Sequence, residues 1–565
     1  MHTPSDADSE KHGAYAIERV PTSNEHLING YKPLTDEAKA LDKRVNLKLD
    51  FIVVLVLAID FILCGIDKTN IGYVATTNMV KDANITQDDI ADSVSILSVT
   101  FITLQPFSTA IGRRIGPKYW IACMMTAWGA VCMAHAGTKN RGTLIALRLL
   151  LGAFEAGFVP TSFYYMSTIY PKYSLGLRLG LFAGMYSIAG AFAGLIAYGI
   201  FQVKHLAVHN WQLLFLIEGA LSILMAVVTV IVLPARLNTA WFFKADEAAH
   251  AVARMEADVA GASHEGAQNK TGGITRRDIL DAVTDWRKLL TVVFNVLATL
   301  PVSAFGYFMP LIVKGMGYSG VQASLMSVSP FVVGACGLFV FVYLSDHFRE
   351  RSIIVSSSMV LAIVGLVVMH VSDKPKLRYG FVHVCLAGAF TAGPLIVAWL
   401  AGNTPEKAKR SIIIGINGYS NLAGVIAGQL FKSKYGPHYR FPLMMTMILI
   451  AIGAVGFISM RMLLMWENRR RARIIETWTA EDFERENESQ ERRGDAKLSF
   501  RLAIDVACFK TKGLRDSTSF WTGGKSQARV GAFHVPFRVA ALRDVVAHFA
   551  NCRYYTDIQK LILQT

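Results

Sequence analysis

Twelve stretches of about twenty mostly apolar residues run through this chain, and they constrain its fold more than anything else in it. A helix of about twenty residues, rising about 1.5 Å per residue, spans the hydrocarbon of a bilayer. No water reaches the backbone there, so each stretch must satisfy its own N–H and C=O groups as an α-helix. The spacing predicts helices near 47–66, 91–111, 119–136, 142–168, 179–203 and 212–233. A second set falls near 289–313, 321–344, 352–371, 380–401, 411–431 and 441–464. The expected fold class is all-α, a polytopic membrane protein with 12 transmembrane helices in two six-helix halves, 47–233 and 289–464. A tail (1–46), a hydrophilic middle loop (234–288) and a C-terminal tail (465–565) complete it.

Charge supports this reading. Charged residues make up 18% of the chain, where a soluble domain is nearer a quarter. The net charge of +15 does not point to nucleic acid, because the basic residues sit in short loops and tails between apolar runs. An even helix count puts both tails and the middle loop on one side. Arg113, Arg114 and Lys118, Lys407, Lys409 and Arg410, and the eight basic residues of the middle loop lie there. The positive-inside rule makes that side the cytoplasm, of the plasma membrane in the first instance. Lys374, Lys376, Arg378, Lys432, Lys434 and Arg440 fall on the other side, against the trend. Within the middle loop, the run 241–258 (WFFKADEAAHAVARMEAD) predicts a surface helix and 261–273 a flexible linker. The cysteines form no CxxC pair, and those in apolar runs, Cys132 among them, read as packing residues.

A charge at the bilayer centre costs about 2.5 kcal/mol or more, so each one needs a reason. Helix 4 (142–168) carries RLLLGAFEAGFVP, with Arg148 and Glu155 seven residues apart on one face and Gly152 between them leaving space. One reading is an anion-binding arginine beside a proton-titrating carboxylate, both facing a central cavity. The other is a structural ion pair. Two turns, about 10 Å, is too far for direct pairing, which favours the first. Helix 1 carries Asp60, then Asp67 and Asn70 one turn apart with Lys68 between them. Asp67 reads equally as a cavity group and as a solvated helix-end charge. Glu218 in helix 6 serves either coupling or a hydrogen bond to a neighbouring helix. In helix 11, Asn417, Tyr419, Asn421 and Gln429 are polar groups for a ligand or a neighbour, and Trp399 closing helix 10 reads as an interfacial anchor.

Several motifs occur together: DKTNIG (67–72), RLLLGAFEAGFVP (148–160), WQLLFLIEGA (211–220), the middle-loop run at 242–258, FGYFMPLIVKGMGYS (305–319), WLAGNTPEKAKR (399–410) and KYGPHYRFP (434–442). In this order they resemble the major facilitator superfamily, specifically the fungal allantoate-permease branch of the anion:cation symporters, over roughly 47–472. The resemblance implies proton-coupled uptake of a small organic anion such as allantoate, nicotinate, pantothenate or biotin. It implies that Arg148 binds the substrate carboxylate and Glu155 takes part in proton coupling. Candidate substrate-binding residues are Arg148, Asn70, Asn417 and Asn421; candidate proton-coupling residues are Glu155, Asp67 and Glu218.

The chain departs from the family pattern in places. The loop after helix 2, STAIGRRIGPKYW, lacks the aspartate of the superfamily signature, while YLSDHFRER after helix 8 keeps it. Arg113, Arg114, Asp346, Arg349 and Arg351 are therefore the expected gating residues, pairing with groups on neighbouring helix ends. The family's acid just before Arg178 is missing from YSLGLR, which weakens the expected salt-bridge network on that side. The C-terminal tail reads either as a cytoplasmic domain or as translated non-coding sequence, and is expected to be dispensable. The competing reading is an exporter of a fungal secondary metabolite or drug. A membrane enzyme would need clustered ligands or a nucleophile–base pair, and the histidines are dispersed. No cofactor or metal is expected, and the partners are a small organic anion, protons and the lipid bilayer, with the chain a monomer.

Overall fold

A computed structural model describes residues 35–203, 208–263, 275–348, 350–479, 481–482, 485–486, 494–500 and 502. Among them, 12 helices are long and apolar enough to cross a membrane. Helices 1 to 6 are Asp36–Val74, Gln87–Ile115, Pro117–Gly137, Arg141–Ile169, Arg178–Phe201 and Asn210–Val232. Helices 7 to 12 are Trp286–Lys314, Gly320–Phe348, Ser352–Val371, Pro375–Gly402, Lys409–Leu430 and Arg440–Ile475. Each matches one expected span. Helix 1 begins earlier than expected, at Asp36, because Thr35 caps it by accepting the Ala38 N–H and Asp36 and Glu37 favour the first turn. Of the expected tail 1–46, residues 1–34 lie outside the described residues.

Within the first half, helix 3 packs on helix 6, helix 2 on helix 4, and helix 1 on helices 5 and 6. In the second half, helix 9 packs on helices 10 and 12, helix 7 on helix 12 and helix 8 on helix 10. The halves meet where helix 1 faces helix 7, helix 2 faces helix 11 and helix 5 faces helix 8. Glycine permits close backbone approach both at this seam and within the first half. A Cβ on Gly72 would strike the Tyr307 carbonyl across the seam. A Cβ on Gly152 would strike the Leu97 carbonyl and Thr100 of helix 2, so the space expected beside Gly152 is filled by another backbone.

The end at which helix 1 starts and helix 12 finishes is called here the tail end. At the opposite, far end the halves are bolted together by polar contacts. Lys432 pairs with Asp92, Gln429 Nε2 donates to Ser95 Oγ at 3.0 Å, the Ser433 N–H donates to Asp88 at 2.7 Å, and Lys314 Nζ donates to the Thr76 carbonyl at 2.9 Å. These contacts also explain some of the far-end basic residues that run against the positive-inside trend. Lys432 is held by Asp92 and Arg440 by Asp373, while the buried Arg378 donates to His438 and the Met369 carbonyl.

The expected surface helix in the middle region is present as Ala245–Ser263, docked on the start of helix 1 through Lys48–Glu247 (2.5 Å) and His250–Asp42 (2.9 Å). Of the expected linker, residues 261–263 close this helix and 264–273 lie outside the described residues.

A short tail segment, 494–500 with Leu502, is held against the tail end of the second half. Asp495 takes both Lys288 (2.7 Å) and Lys409 (3.0 Å), Arg471 Nη1 donates to the carbonyls of Asp495, Lys497 and Phe500, and Asn468 exchanges two bonds with Leu502. This part of the tail, expected to be dispensable, therefore touches the helical core. Asp285, just before helix 7, also pairs with Lys288 and Lys409, both at 3.0 Å. Burial alone would raise its carboxyl, but the two ammonium groups more than offset that and hold it below the usual carboxylate range.

Candidate functional site: a buried ion network in the first half

Helix 4 breaks at Ala156–Gly157 just after Glu155, then resumes as Phe158–Ile169. Arg148 and Glu155 are both fully buried and do not pair with each other; each finds a partner on helix 1. Arg148 Nη2 donates to Asn70 Oδ1 at 3.0 Å. Its Nε and Nη1 have no hydrogen-bond partner. Lys68 Nζ lies 3.8 Å from Glu155 Oε2, beyond hydrogen-bond reach, and both Glu155 oxygens lack a donor. The same ammonium sits 3.4 Å above the Phe101 ring, a cation–π contact that makes its burial less costly.

A second layer joins helices 1, 3 and 6. Asn70 Nδ2 donates to Glu218 Oε2 at 3.0 Å, Ser222 Oγ to Asp67 Oδ2 at 2.6 Å, and Cys132 Sγ to Asp67 Oδ1 at 3.2 Å. Asp67 is fully buried, which settles its reading: it is no solvated helix-end charge. Cys132 is corrected too, from a packing residue to a hydrogen-bond donor in the network. The Cys132 sulfur and oxygens of Asp67 and Glu218 lie within 4.8 Å of one another. Asp60, deeper in helix 1, gains Thr229 of helix 6 as its partner (3.0 Å).

The candidate residues of the second half are placed differently. Asn417 accepts from Asn295 Nδ2 at 2.8 Å, linking helix 11 to helix 7, and Asn295 Oδ1 is buried without a donor. Among the described residues, Asn421 donates only to the Gly418 carbonyl at 2.9 Å, inside the short 3-10 turn that interrupts helix 11. Tyr419 is exposed, and Trp399 is not an interfacial anchor but a core residue, its ring 5.9 Å from Phe457.

The expected gating residues do not pair as anticipated. Arg113, Arg114 and Asp346 are exposed, Arg113 lies over the Tyr164 ring at 4.9 Å, and among the described residues no ion pair joins these three or Arg351. Arg349 lies outside the described residues. The acid that pairs in this motif is Glu350, with Arg461 of helix 12, because Glu350 folds inward while Asp346 faces out. The salt bridge expected to be weakened at Arg178 is present by another route. Asp50 of helix 1 takes Arg178 Nε at 2.6 Å and Nη2 at 2.7 Å, and accepts the Tyr170 hydroxyl at 2.8 Å.

Sequence reasoning left Lys68, Phe101, Cys132, Asn295 and Tyr307 off the candidate set. Lys68 carried a usable signal, a cation inside an apolar run. Tyr307, fully buried on helix 7 and facing Ser98, Glu155 and Arg148, carried none beyond its place in a proline-bounded stretch.

Twelve apolar helices in two sets, with charges turned inward rather than to lipid, define a multi-pass membrane transporter. The sequence profile of the Major Facilitator Superfamily matches residues 57–428. The MFS-type transporter efuF of Hormonema carpetanum is 31% identical over 434 residues, covering 76% of this chain and 87% of its own. The high-affinity nicotinic acid transporter of Saccharomyces cerevisiae is 27% identical over 409 residues, covering 71% and 73%. The crystal structure of a D-xylose-proton symporter shares the fold, with a TM-score of 0.55 at 15% identity over 73% of this chain and 97% of that one. The chain belongs to the major facilitator superfamily, and these relatives are transporters, not enzymes.

Proposed function

We propose that this transporter moves a small organic anion, a carboxylate, together with a proton, by alternating access of its two halves to a site at Arg148 and Glu155. The observation that carries the reading is Arg148, a fully buried guanidinium with Nε and Nη1 unpartnered, two turns from a fully buried carboxyl whose oxygens have no donor. A guanidinium presents its donors in a fixed fork that matches a carboxylate. Leaving such donors unpaired in a low-dielectric site is costly, so an arriving anion is strongly favoured. Lys68 adds a second cation beside Glu155, and the nearby Phe101 ring favours a planar substrate. The yeast relative's named substrate, nicotinic acid, is a planar carboxylate of this kind. In this reading Asn417 with Asn295 contacts the neutral part of the substrate, and the far-end bolts at Asp92, Ser95, Asp88 and Thr76 are the contacts that break when the site opens to that side. The distribution of lysine and arginine supports an orientation with both termini cytoplasmic, and uptake of a small anion would place the protein in the plasma membrane.

The test is uptake of a radiolabelled panel (nicotinate, pantothenate, biotin, allantoate, and nicotinamide as the neutral control) in yeast cells lacking their own permeases, at several external pH values. At least one carboxylate should accumulate, faster at acidic external pH, and nicotinamide should not. Accumulation of the amide, or carboxylate uptake indifferent to pH, counts against the reading. Accelerated loss of a preloaded carboxylate without uptake would reverse the direction and favour the exporter.

A further inference from the structure

Glu155 is not the only acid within reach of the anion site. The Asn70 carboxamide has a guanidinium on one side and a carboxyl on the other. Its oxygen accepts from Arg148 Nη2 at 3.0 Å and its nitrogen donates to Glu218 Oε2 at 3.0 Å. The amide cannot turn over. Reversed, its N–H₂ would meet the guanidinium donors and its oxygen would face the carboxyl. Asn70 therefore holds the two groups at a fixed spacing and transmits polarisation between them.

Glu218 itself is 1% exposed, and its second oxygen, Oε1, is buried without a donor. The charged form is thus only half satisfied by donors of the protein. Its surroundings confirm the imbalance. Helix 1 turns Asp67, Asn70 and Tyr73 toward it, helix 4 contributes Arg148, and helix 3 contributes Cys132, with His135 one turn further on and stacked on Phe215. Helix 5 contributes no charge from its described side chains, since Arg178 is taken by Asp50. Among the described residues, Arg148 is the one cation facing Glu218, set against two carboxyl groups within 4.8 Å of each other. Two such carboxyls do not both carry charge cheaply.

We infer that Glu218 is a second proton-binding group of the transport cycle, and that Asn70 is the positioning residue tying its protonation to the occupancy of Arg148. An anion settling on Arg148 spends the positive charge that Glu218 shares through Asn70, so Glu218 takes a proton more readily. By linkage, a proton on Glu218 frees Arg148 for the anion. The inference rests on Arg148 as the anion site, but its test needs no substrate, so failure of the uptake assay and failure here are separate results.

The test is a pH titration of carboxylic-acid C=O bands by infrared difference spectroscopy on the full-length protein in lipid nanodiscs. Glu218→Gln should remove one titrating band that persists in Glu155→Gln. Arg148→Gln should move that band's midpoint upward by about one pH unit or more, because a cation that favours the carboxylate is gone. Asn70→Ala should raise it too. In the Asn70→Ala background, the further effect of Arg148→Gln should shrink to less than about a third, the non-additivity that marks a shared path. If Glu218→Gln does not fold, Glu218→Asp should shift the same band and leave that of Glu155 in place. An unchanged set of bands in the Glu218 variants overturns the proton assignment. Fully additive shifts of Arg148→Gln and Asn70→Ala overturn the role of Asn70.

Discussion

The two halves have six helices each and keep their charges in different places. The first half buries Asp60, Asp67, Lys68, Arg148, Glu155 and Glu218 along the middle of its helices. The second half, among the described residues, has only neutral groups at that depth, chiefly Asn295, Asn417 and Thr391, and gathers its buried charges at the helix ends: Lys288, Lys409, Glu350, Glu467 and Arg471 at the tail end, and Arg378 at the far end. A buried charge costs several kcal/mol unless paired, so chance does not set six of them along the middle of one half's helices and leave the middle of the other neutral. The difference teaches a division of labour. On the proposed function, one half carries the ion chemistry and the other supplies shape, neutral hydrogen bonds and a rigid frame.

The sharpest way to break this contrast is Arg148→Lys. It keeps the charge and loses the fork, and hydrogen bonds to charged groups are worth about 1.5–3 kcal/mol each. Carboxylate uptake should fall about 10- to 100-fold with surface expression unchanged, as read by labelled uptake normalised to protein at the membrane. Near-normal uptake would remove the first half's claim to the anion. Glu155→Gln comes next. The amide keeps the shape and abolishes titration, so accumulation against a gradient should disappear while counterflow in preloaded vesicles survives. Wild-type accumulation with wild-type pH dependence would move the coupling proton off Glu155, with Glu218 and Asp67 next in line.

A third test addresses the second half's frame. Truncation after Glu476 removes Asp495 and leaves Lys288 and Lys409 to share Asp285 alone, with Arg471 losing three carbonyl acceptors. Breaking a largely buried pair costs about 3 kcal/mol, so the purified protein should melt several degrees lower, by tryptophan fluorescence, with site chemistry intact. Acid should have a parallel effect. Asp285 is held below its ordinary value, so its contribution is full above the unfolded-state pKa near 4 and is lost as pH falls through the folded value. The stability gap between full-length and truncated protein should therefore be measured above about pH 5. An unchanged melting temperature there would return the tail to the status of a dispensable appendage.

Much of this was legible in the sequence because the bilayer leaves so few options. Each run of about twenty apolar residues had to be a helix, and each charge inside one had to face inward, which picked out Arg148, Glu155, Asp67 and Glu218 before any contact was known. What the sequence did not carry is pairing across helices. Nothing in RLLLGAFEAGFVP says that Arg148 meets Asn70, from a helix 78 positions earlier in the chain, or that Asp50 replaces the acid missing before Arg178. Trp399 was misread because its place near a helix end fits an anchor, while its burial depends on Phe457 of helix 12. The Cys132 thiol gave no sign of being a donor, since a buried cysteine in an apolar run looks the same whether or not a carboxylate stands opposite.

The smallest expected effect sharpens the contrast from the neutral side. Asn295 and Asn417 hold one another across helices 7 and 11 at 2.8 Å, and Asn295 Oδ1 is left over. If the second half only shapes the substrate's neutral end, losing that amide removes one ordinary hydrogen bond, worth about 1 kcal/mol. Asn295→Ala should then raise KM about fivefold, leave the maximal rate and the pH dependence of accumulation unaltered, and do the same whichever carboxylate is used. Asn295→Ser, which restores a small donor and acceptor, should recover part of the loss. A change in pH dependence instead would mean that helix 7 takes part in proton handling, and the separation of ionic and neutral halves would fail at a buried amide where the second half has hydrogen-bonding capacity to spare.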